Sequence, residues 1–443
     1  MTLGYFAADM VDTPWGRTSE LREQRLRSGP GSPRKDVVKS QRHRLFAATV
    51  ASTTSKGYPE TTVADLIALA GVSRATFYAH FDDKAGCFRA AVEELFGDGL
   101  AVLQANLEGA ESPTENGRLA LAGLLRLAVA QPAASRMALV DAYSAGSAGL
   151  EPLNAAFEEA CELAHKALVQ LPGREETPEA LSRAVIGGLH RLLYIHLYRG
   201  EEQALLDACD VLWDWARGYP PPEGLLRQRT RRGRWRDAPP HPGRDQHEGI
   251  LRGFASAVAK HGFSKVGIPQ ITAEAGISNA TFYQHFENKE DALLAGLDLS
   301  GAQLVAATLP AARREPDWPE ALRRALESIC GFIASEPAFA RLRTVEVYSA
   351  GPEAMMHRDQ AWKQILAELI PAEIREADGQ ELVIEASSGA VYGLLYERVR
   401  RGEFEKVREL PPLLTYIMLT PLIGVEEATK VAAGQRHEQA ASL

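Results

Sequence analysis

One feature constrains this chain above all others: it repeats itself at a spacing of 205 residues. The segment AGVSRATFYAHFDDK, Ala70 to Lys84, returns as AGISNATFYQHFENK, Ala275 to Lys289, with ten of fifteen positions identical. Three further pairs are conservative: Val72 with Ile277, Asp82 with Glu287, and Asp83 with Asn288. Gly57–Tyr58 matches Gly262–Phe263 at the same spacing, as do Pro132, Arg136, Val140 and Tyr143 with Pro337, Arg341, Val345 and Tyr348. Further on, LLYIHLYRG ending at Gly200 matches LLYERVRRG ending at Gly402, now 202 apart. The whole half is duplicated, so the chain must fold as two similar units.

The pattern within each half is helical. LFAATVASTTSKGY reads as a helix stopped at Gly57, a residue type that ends helices. Long Ala/Leu-rich amphipathic stretches run from about Gly86 to Arg217 and from about Asp291 to Val431, while alternating strand patterns are missing. An all-α bundle class follows. Between the halves, the Pro-, Gly- and Arg-rich stretch from Gly218 to Asp245 has no apolar period and reads as a linker.

The repeated motif has a local logic. VADLIALA makes a short helix with Val63, Leu66, Ile67 and Ala70 turned inward. Gly71 supplies the backbone freedom for a sharp turn into a second helix. Ser73 caps that helix. Phe77 and Phe81, four apart, pin it to the core. Ala79 lies about 200° around from Phe77 and faces outward. Asp83 caps the helix that Lys84 opens. The second copy repeats the plan with Gly276, Ser278, Phe282, Phe286 and Asn288.

Through GVSRATFYAHFDDK and GISNATFYQHFENK, each half resembles the TetR family of one-component regulators, and the resemblance covers nearly the whole chain as two family-sized units. It implies an all-α fold of two tandem TetR-like units, each a helix-turn-helix domain followed by a bundle that binds a small effector and dimerises. Expected boundaries are a basic, disordered arm at 1–40, heads at 41–90 and 246–295, bundles at 91–217 and 296–431, the linker at 218–245 and a tail at 432–443. The resemblance implies that Arg74, Ala75 and Ala79, with Asn279, Ala280 and Gln284, face bases. It makes Thr76, Tyr78 and Lys84, with Thr281, Tyr283 and Lys289, phosphate-positioning residues. Thr62, Ser73, His80, Ser278 and His285 complete the expected DNA-binding set. The implied partners are a double-stranded DNA operator and a small-molecule effector.

Within the fifteen-residue match only two positions differ non-conservatively: Arg74 against Asn279, and Ala79 against Gln284. Arg suits guanine O6/N7, whereas Asn and Gln suit adenine N6/N7. Two halves that kept a scaffold and changed what they read would need an imperfect palindrome. The second copy also has Val266–Gly267 where the first has Thr61–Thr62, so it lacks a capping hydroxyl. That weakens the expected grip of the second head on a phosphate.

Charge fits this reading only locally. The net charge is −9, which excludes a protein basic all over. Yet nine Lys/Arg face three acids from Arg17 to Arg44, and seven Arg face one acid from Arg227 to Arg244. Each basic island precedes a motif, as backbone-following arms do. Four scattered cysteines argue against a disulfide framework or zinc site and for a cytoplasmic protein. No uncharged apolar run of about 18 residues is found, so no membrane span is expected.

No Gly-rich phosphate loop, GxSxG or HExxH is present, so neither an enzyme nor a cofactor or metal is expected. Among the bundle aromatics, Tyr143 and Tyr348, inside the repeated YSAG, and Tyr194 and Tyr396 are the expected ligand-facing residues. Two fused halves suggest an intramolecular pseudo-dimer, with a homodimer as the alternative. A ligand-binding or interaction module with decayed heads is the competing function.

Overall fold

The computed structural model describes residues 10–23, 26, 33–109, 111–222 and 246–435. The first copy runs α1 (Arg34–Lys56), α2 (Val63–Ala70), α3 (Arg74–His80), α4 (Lys84–Leu107), α5 (Pro113–Ala130), α6 (Pro132–Leu139), α7 (Ser147–Leu168), α8 (Glu179–Arg199), α9 (Glu202–Asp207) and α10 (Cys209–Arg217). The second copy runs α11 (Gln246–His261), α12 (Ile268–Ala275), α13 (Asn279–His285), α14 (Lys289–Ala312), α15 (Trp318–Ser335), α16 (Pro337–Thr344) and α17 (Pro352–Leu369). It continues through α18 (Ala372–Arg375), α19 (Gln380–Arg400), α20 (Pro411–Ile423) and α21 (Val425–Ala432). The described strands are β1 (Asp12–Thr13) and β2 (Gly16–Arg17), an antiparallel pair ahead of α1. The all-α class is as the sequence implied.

The boundaries differ from the expected ones in two places. First, part of the basic arm is structured. Val11, Trp15 and Leu21 are buried apolar residues in an otherwise polar stretch, and they carry the hairpin onto the first head. The Trp15 ring lies 5.1 Å from that of Phe46, and its indole N–H donates to Glu94 Oε1 at 2.7 Å. Arg22 donates to the Ala68 carbonyl at 2.9 Å. Helix α1 begins at Arg34, inside the supposed arm.

Second, the division does not follow the linker. One compact unit comprises Met1–Ala167 and Leu193–Asp210; the other comprises Leu168–Leu192 and Val211–Leu443. The second unit thus takes in the start of α8 and nearly all of α10 from the first copy. Tyr219, expected in the linker, is buried, where its hydroxyl donates to the Ile417 carbonyl at 3.2 Å. The basic stretch Arg227–Arg244 lies outside the described residues.

Glycines explain how α8 joins the second unit. A Cβ built on Gly187 would lie 3.3 Å from Gly393 Cα, and one on Gly389 would lie 2.5 Å from Arg191 Cβ. At a spacing of 202, Gly187 corresponds to Gly389 and Arg191 to Gly393. The contact is therefore reciprocal, position for position, as in a two-fold interface between identical chains. Around it Trp215 Nε1 donates to Ser387 Oγ at 3.0 Å, and Tyr416 donates to the Pro220 carbonyl at 2.6 Å.

Not every helical glycine marks a contact. Gly97, within α4, has nothing within 4 Å of a built Cβ. Gly97→Ala should stabilise the first unit by about 0.5–1 kcal/mol through helix propensity alone, measured as a rise in urea midpoint; a fall would mean that position 97 needs its glycine.

Helix α14 is long and apolar enough to cross a membrane by length and composition, which the search for uncharged runs did not register. Its Ala292, Leu293 and Leu297 are buried within the second unit.

Candidate nucleic-acid interface and effector cavity

Both heads are built the same way. Gly71 and Gly276 take φ of 60° and 66°, the left-handed region, closing α2 and α12. Ser73 Oγ accepts from Thr76 N–H, and Ser278 Oγ accepts from Thr281 N–H, each at 3.0 Å. Phe77 and Phe282 are fully buried, with Phe81 and Phe286 beside them. The apolar side of each short helix is thereby fixed, and the opposite side must face solvent. Arg74, Ala75, Tyr78 and Ala79 are exposed, as are Asn279, Ala280, Tyr283 and Gln284. The two large aromatics among them, Tyr78 and Tyr283, are 47% and 58% exposed, which no packing role explains.

Within this frame the heads diverge. The Arg74 guanidinium lies 5.8 Å from the Tyr78 ring centroid. Asn279 Oδ1 accepts from the Thr272 hydroxyl at 2.9 Å, so the two-point adenine contact expected of its amide would require that bond to break. Thr62 caps α2 with a reciprocal box: it accepts from Asp65 N–H, and Asp65 accepts from Thr62 N–H. In α12 only half of the box exists, Gln270 accepting from Gly267 N–H at 3.1 Å, because glycine has no hydroxyl to return.

Three of the residues expected at DNA have partners within their own head. Lys84 donates to the carbonyls of Tyr58, Pro59 and Thr61 at 3.0, 3.1 and 2.8 Å. That uses all three ammonium protons, and burial lowers its pKa. Lys289 likewise donates to Phe263 and Val266. Both lysines thus clamp the turn before the motif. His80 Nε2 lies 2.9 Å from Gln41 Oε1, turned toward α1. His285 remains exposed, its ring near Phe286 and His247.

The four expected ligand-facing tyrosines meet in pairs. Tyr143 and Tyr194 approach edge to face at 5.9 Å, and Tyr348 and Tyr396 at 5.7 Å. Neither Tyr348 nor Tyr396 lines the small cavity of about 40 Å³ in the second unit. Trp362 and Tyr392 do, with Arg343 and Arg358. The arginines were not anticipated, because their positions fall within the apolar period of α16 and α17 and carry no motif.

The bundles also differ in how they hold their heads. Glu346 Oε2 accepts from Phe263 N–H at 2.9 Å, and its Oε1 accepts from Arg341 Nε at 3.1 Å. In the first copy Asp141 occupies the place of Glu346, one methylene shorter, with Arg136 Nε 3.8 Å away. Among the described residues it forms no bond to Tyr58, the counterpart of Phe263. Burial pushes the Asp141 carboxyl up to about 6, opposed by Arg136. A carboxyl raised on folding stabilises the fold below its unfolded pKa, and that contribution is lost as pH rises from about 4 to about 6. Asp141→Asn should therefore gain on the order of 3 kcal/mol over wild type at pH 7 and nothing at pH 4. Urea midpoints at the two pH values measure this; equal gains at both would refute it.

The four cysteines are buried and unbridged.

Comparison with known proteins agrees with this geometry. The family described as bacterial regulatory proteins, tetR family, matches twice, at residues 45–91 and 250–295. The chain is 30% identical over 211 residues to the HTH-type transcriptional regulator EthR of Mycolicibacterium smegmatis, covering 44% of this chain and 94% of EthR. It is 32% identical over 111 residues to the HTH-type transcriptional activator FasR of the same organism, covering 25% of this chain and 51% of FasR. The solved structure of the fatty acid degradation regulator FadR from Bacillus halodurans is similar over 40% of this chain and 97% of its own, at 19% identity and a TM-score of 0.36. These curated relatives are regulators of transcription. The chain belongs to the TetR family of bacterial transcriptional regulators and carries the family's helix-turn-helix unit twice.

Proposed function

We propose that this chain reads two unlike DNA half-sites with its two heads, acts as its own dimer partner, and is released from DNA by a small-molecule effector. The observation that carries the reading is the pairing of a shared scaffold with divergent exposed residues. Both heads have the same serine cap on the recognition helix, the same turn and the same buried phenylalanines, yet positions 74 and 79 differ from 279 and 284. Base-reading side chains are expected at those places on a recognition helix. The reciprocal glycine contact of α8 with α19 inside the second unit supports an intramolecular pair, since an isologous contact is what a two-fold dimer makes. Covalent linkage supplies the second half at high effective concentration.

The test is the mass of the protein in solution, alone and on fragments selected from a random DNA pool. One chain on an asymmetric two-part site is the expected result. Two chains per site would replace the pseudo-dimer with a homodimer. Recovery of a single half-site would restrict reading to one head, the half-capped α12 making the second head the one to lose it.

A further inference from the structure

Outside the heads, the densest unexplained chemistry is a buried cluster of arginines in the second unit. Arg191, Arg343 and Arg358 are 8%, 6% and 1% exposed, and the carboxylate among them is Asp359. Asp359 accepts from Arg191 through Oδ2 and from Arg358 Nε through Oδ1. Arg343 meets no carboxylate among the described residues. It donates to the carbonyls of Leu297 and Arg358 at 2.7 and 3.0 Å and to Ser300 Oγ at 3.2 Å. Among the described residues, Asp359 is the carboxylate in direct contact with this cluster, and Asp298 and Glu385 act on Arg343 and Arg191 only through space. Carbonyl oxygens satisfy the hydrogen bonds of a guanidinium but do not cancel its charge, and an uncompensated buried charge is costly. Burial accordingly lowers the pKa of Arg343 to about 10.

Arg343 and Arg358 form part of the wall of the cavity, and most of the remaining wall is apolar, with Leu304, Ile329, Phe332 and Val391. The first copy lacks the counterparts of Arg343, Arg358 and Asp359. Ala138, Leu153 and Asn154 stand at the places of Arg343, Arg358 and Asp359.

We infer that this cavity is a receptor for an apolar monocarboxylic acid, whose carboxylate is taken by Arg343 and Arg358, and that the chain binds one such molecule, in the second bundle. Guanidinium groups match carboxylates in shape and charge, and the apolar wall takes the chain of the acid. A cavity of about 40 Å³ admits only a few atoms, so a longer acid enters by displacing Trp362 or Phe332.

Two connections lead away from the site. Asp359 ties Arg358 to Arg191 on α8, so an anion competing for Arg358 loosens a link between residues of the first and second copies. Arg343 lies on α16, three residues before Glu346, which holds Phe263 of the second head. The site therefore reports on the second head, whereas the first copy has neither the arginines nor the Glu346 link. This inference rests on the effector-responsive reading above and names its ligand class.

The experiment titrates the full chain with octanoate and, in parallel, octan-1-ol, by calorimetry, and maps the site with a diazirine-bearing octanoate followed by peptide mass spectrometry. Expected are one octanoate per chain, at least tenfold preference for acid over alcohol, and label on peptides spanning 329–344 or 391–395. Arg343→Gln should abolish the preference and Arg343→Lys should restore part of it; the wild-type ratio and the label decide the matter even where Arg343→Gln does not fold. Equal binding of acid and alcohol, two sites per chain, no binding, or label confined to the first copy would overturn the inference. Selected-DNA binding measured on the same preparation separates the two claims: DNA bound without acid discrimination removes the ligand class and leaves the regulator reading standing.

Discussion

Gly188→Ala should lower the stability of the second unit by about 3 kcal/mol, or roughly 10 °C in Tm. A Cβ there would lie 2.4 Å from the Trp215 ring and 2.6 Å from the Ala386 carbonyl oxygen. A ring tip can move, but the backbone oxygen of a packed helix cannot yield without separating α8 from α19. In an exposed helix the same exchange favours alanine by up to about 1 kcal/mol, so the sign of the result identifies the cause. Gly97→Ala is the matched control, with the opposite sign. The loss should be accompanied by weaker binding to a two-part DNA site and unchanged binding to a single half-site, because the heads themselves are untouched. Scanning calorimetry and DNA titration measure the two effects. An unchanged or raised Tm would show that α8 does not rest on α19 in solution.

Arg74→Asn, which gives the first head the residue of the second, should change which base is preferred in one half of the operator. Discrimination should shift by about 1–3 kcal/mol, roughly five- to 150-fold in affinity ratio. The other half-site should keep its preference, since Asn279 and Gln284 are unaltered. Arg74 suits this test because its side chain is exposed and its described neighbour is the Tyr78 ring, so the fold loses little. Selection from random pools with both proteins, at one stated salt concentration, gives the comparison. Identical selected sequences would mean that position 74 does not read bases.

What the sequence disclosed and what it concealed follow from the range of the forces involved. The heads were legible because their determinants are local: Gly71 needs a left-handed turn, Ser73 caps the next helix, and Phe77 and Phe81 share a face. The structure places all four as expected. By resemblance Lys84 is a phosphate-positioning residue, a cation beside the motif. Only the folded turn brings the carbonyls of Tyr58, Pro59 and Thr61 within its reach.

The arm and linker were misjudged for a related reason. Pro, Gly and Arg suggest solvated chain, and composition gives no weight to single residues such as Leu21 or Tyr219. Each is buried only because a partner surface exists elsewhere. The arginine cluster was the least legible feature. Arg191 and Arg358 are 167 residues apart in sequence and meet only through Asp359.

The reciprocal contact of Gly187 with Gly393 and of Gly389 with Arg191 has a further consequence. Between separate chains, every substitution at such a contact is made twice, and the pair dissolves on dilution. Within one chain each position changes alone, which is how an arginine stands at 191 where its counterpart, 393, is a glycine. On the proposed single-chain reading, such a pair would need no second molecule to form and would not exchange halves with related regulators in the same cell, so its occupancy of DNA would rise with the first power of its own abundance rather than the second.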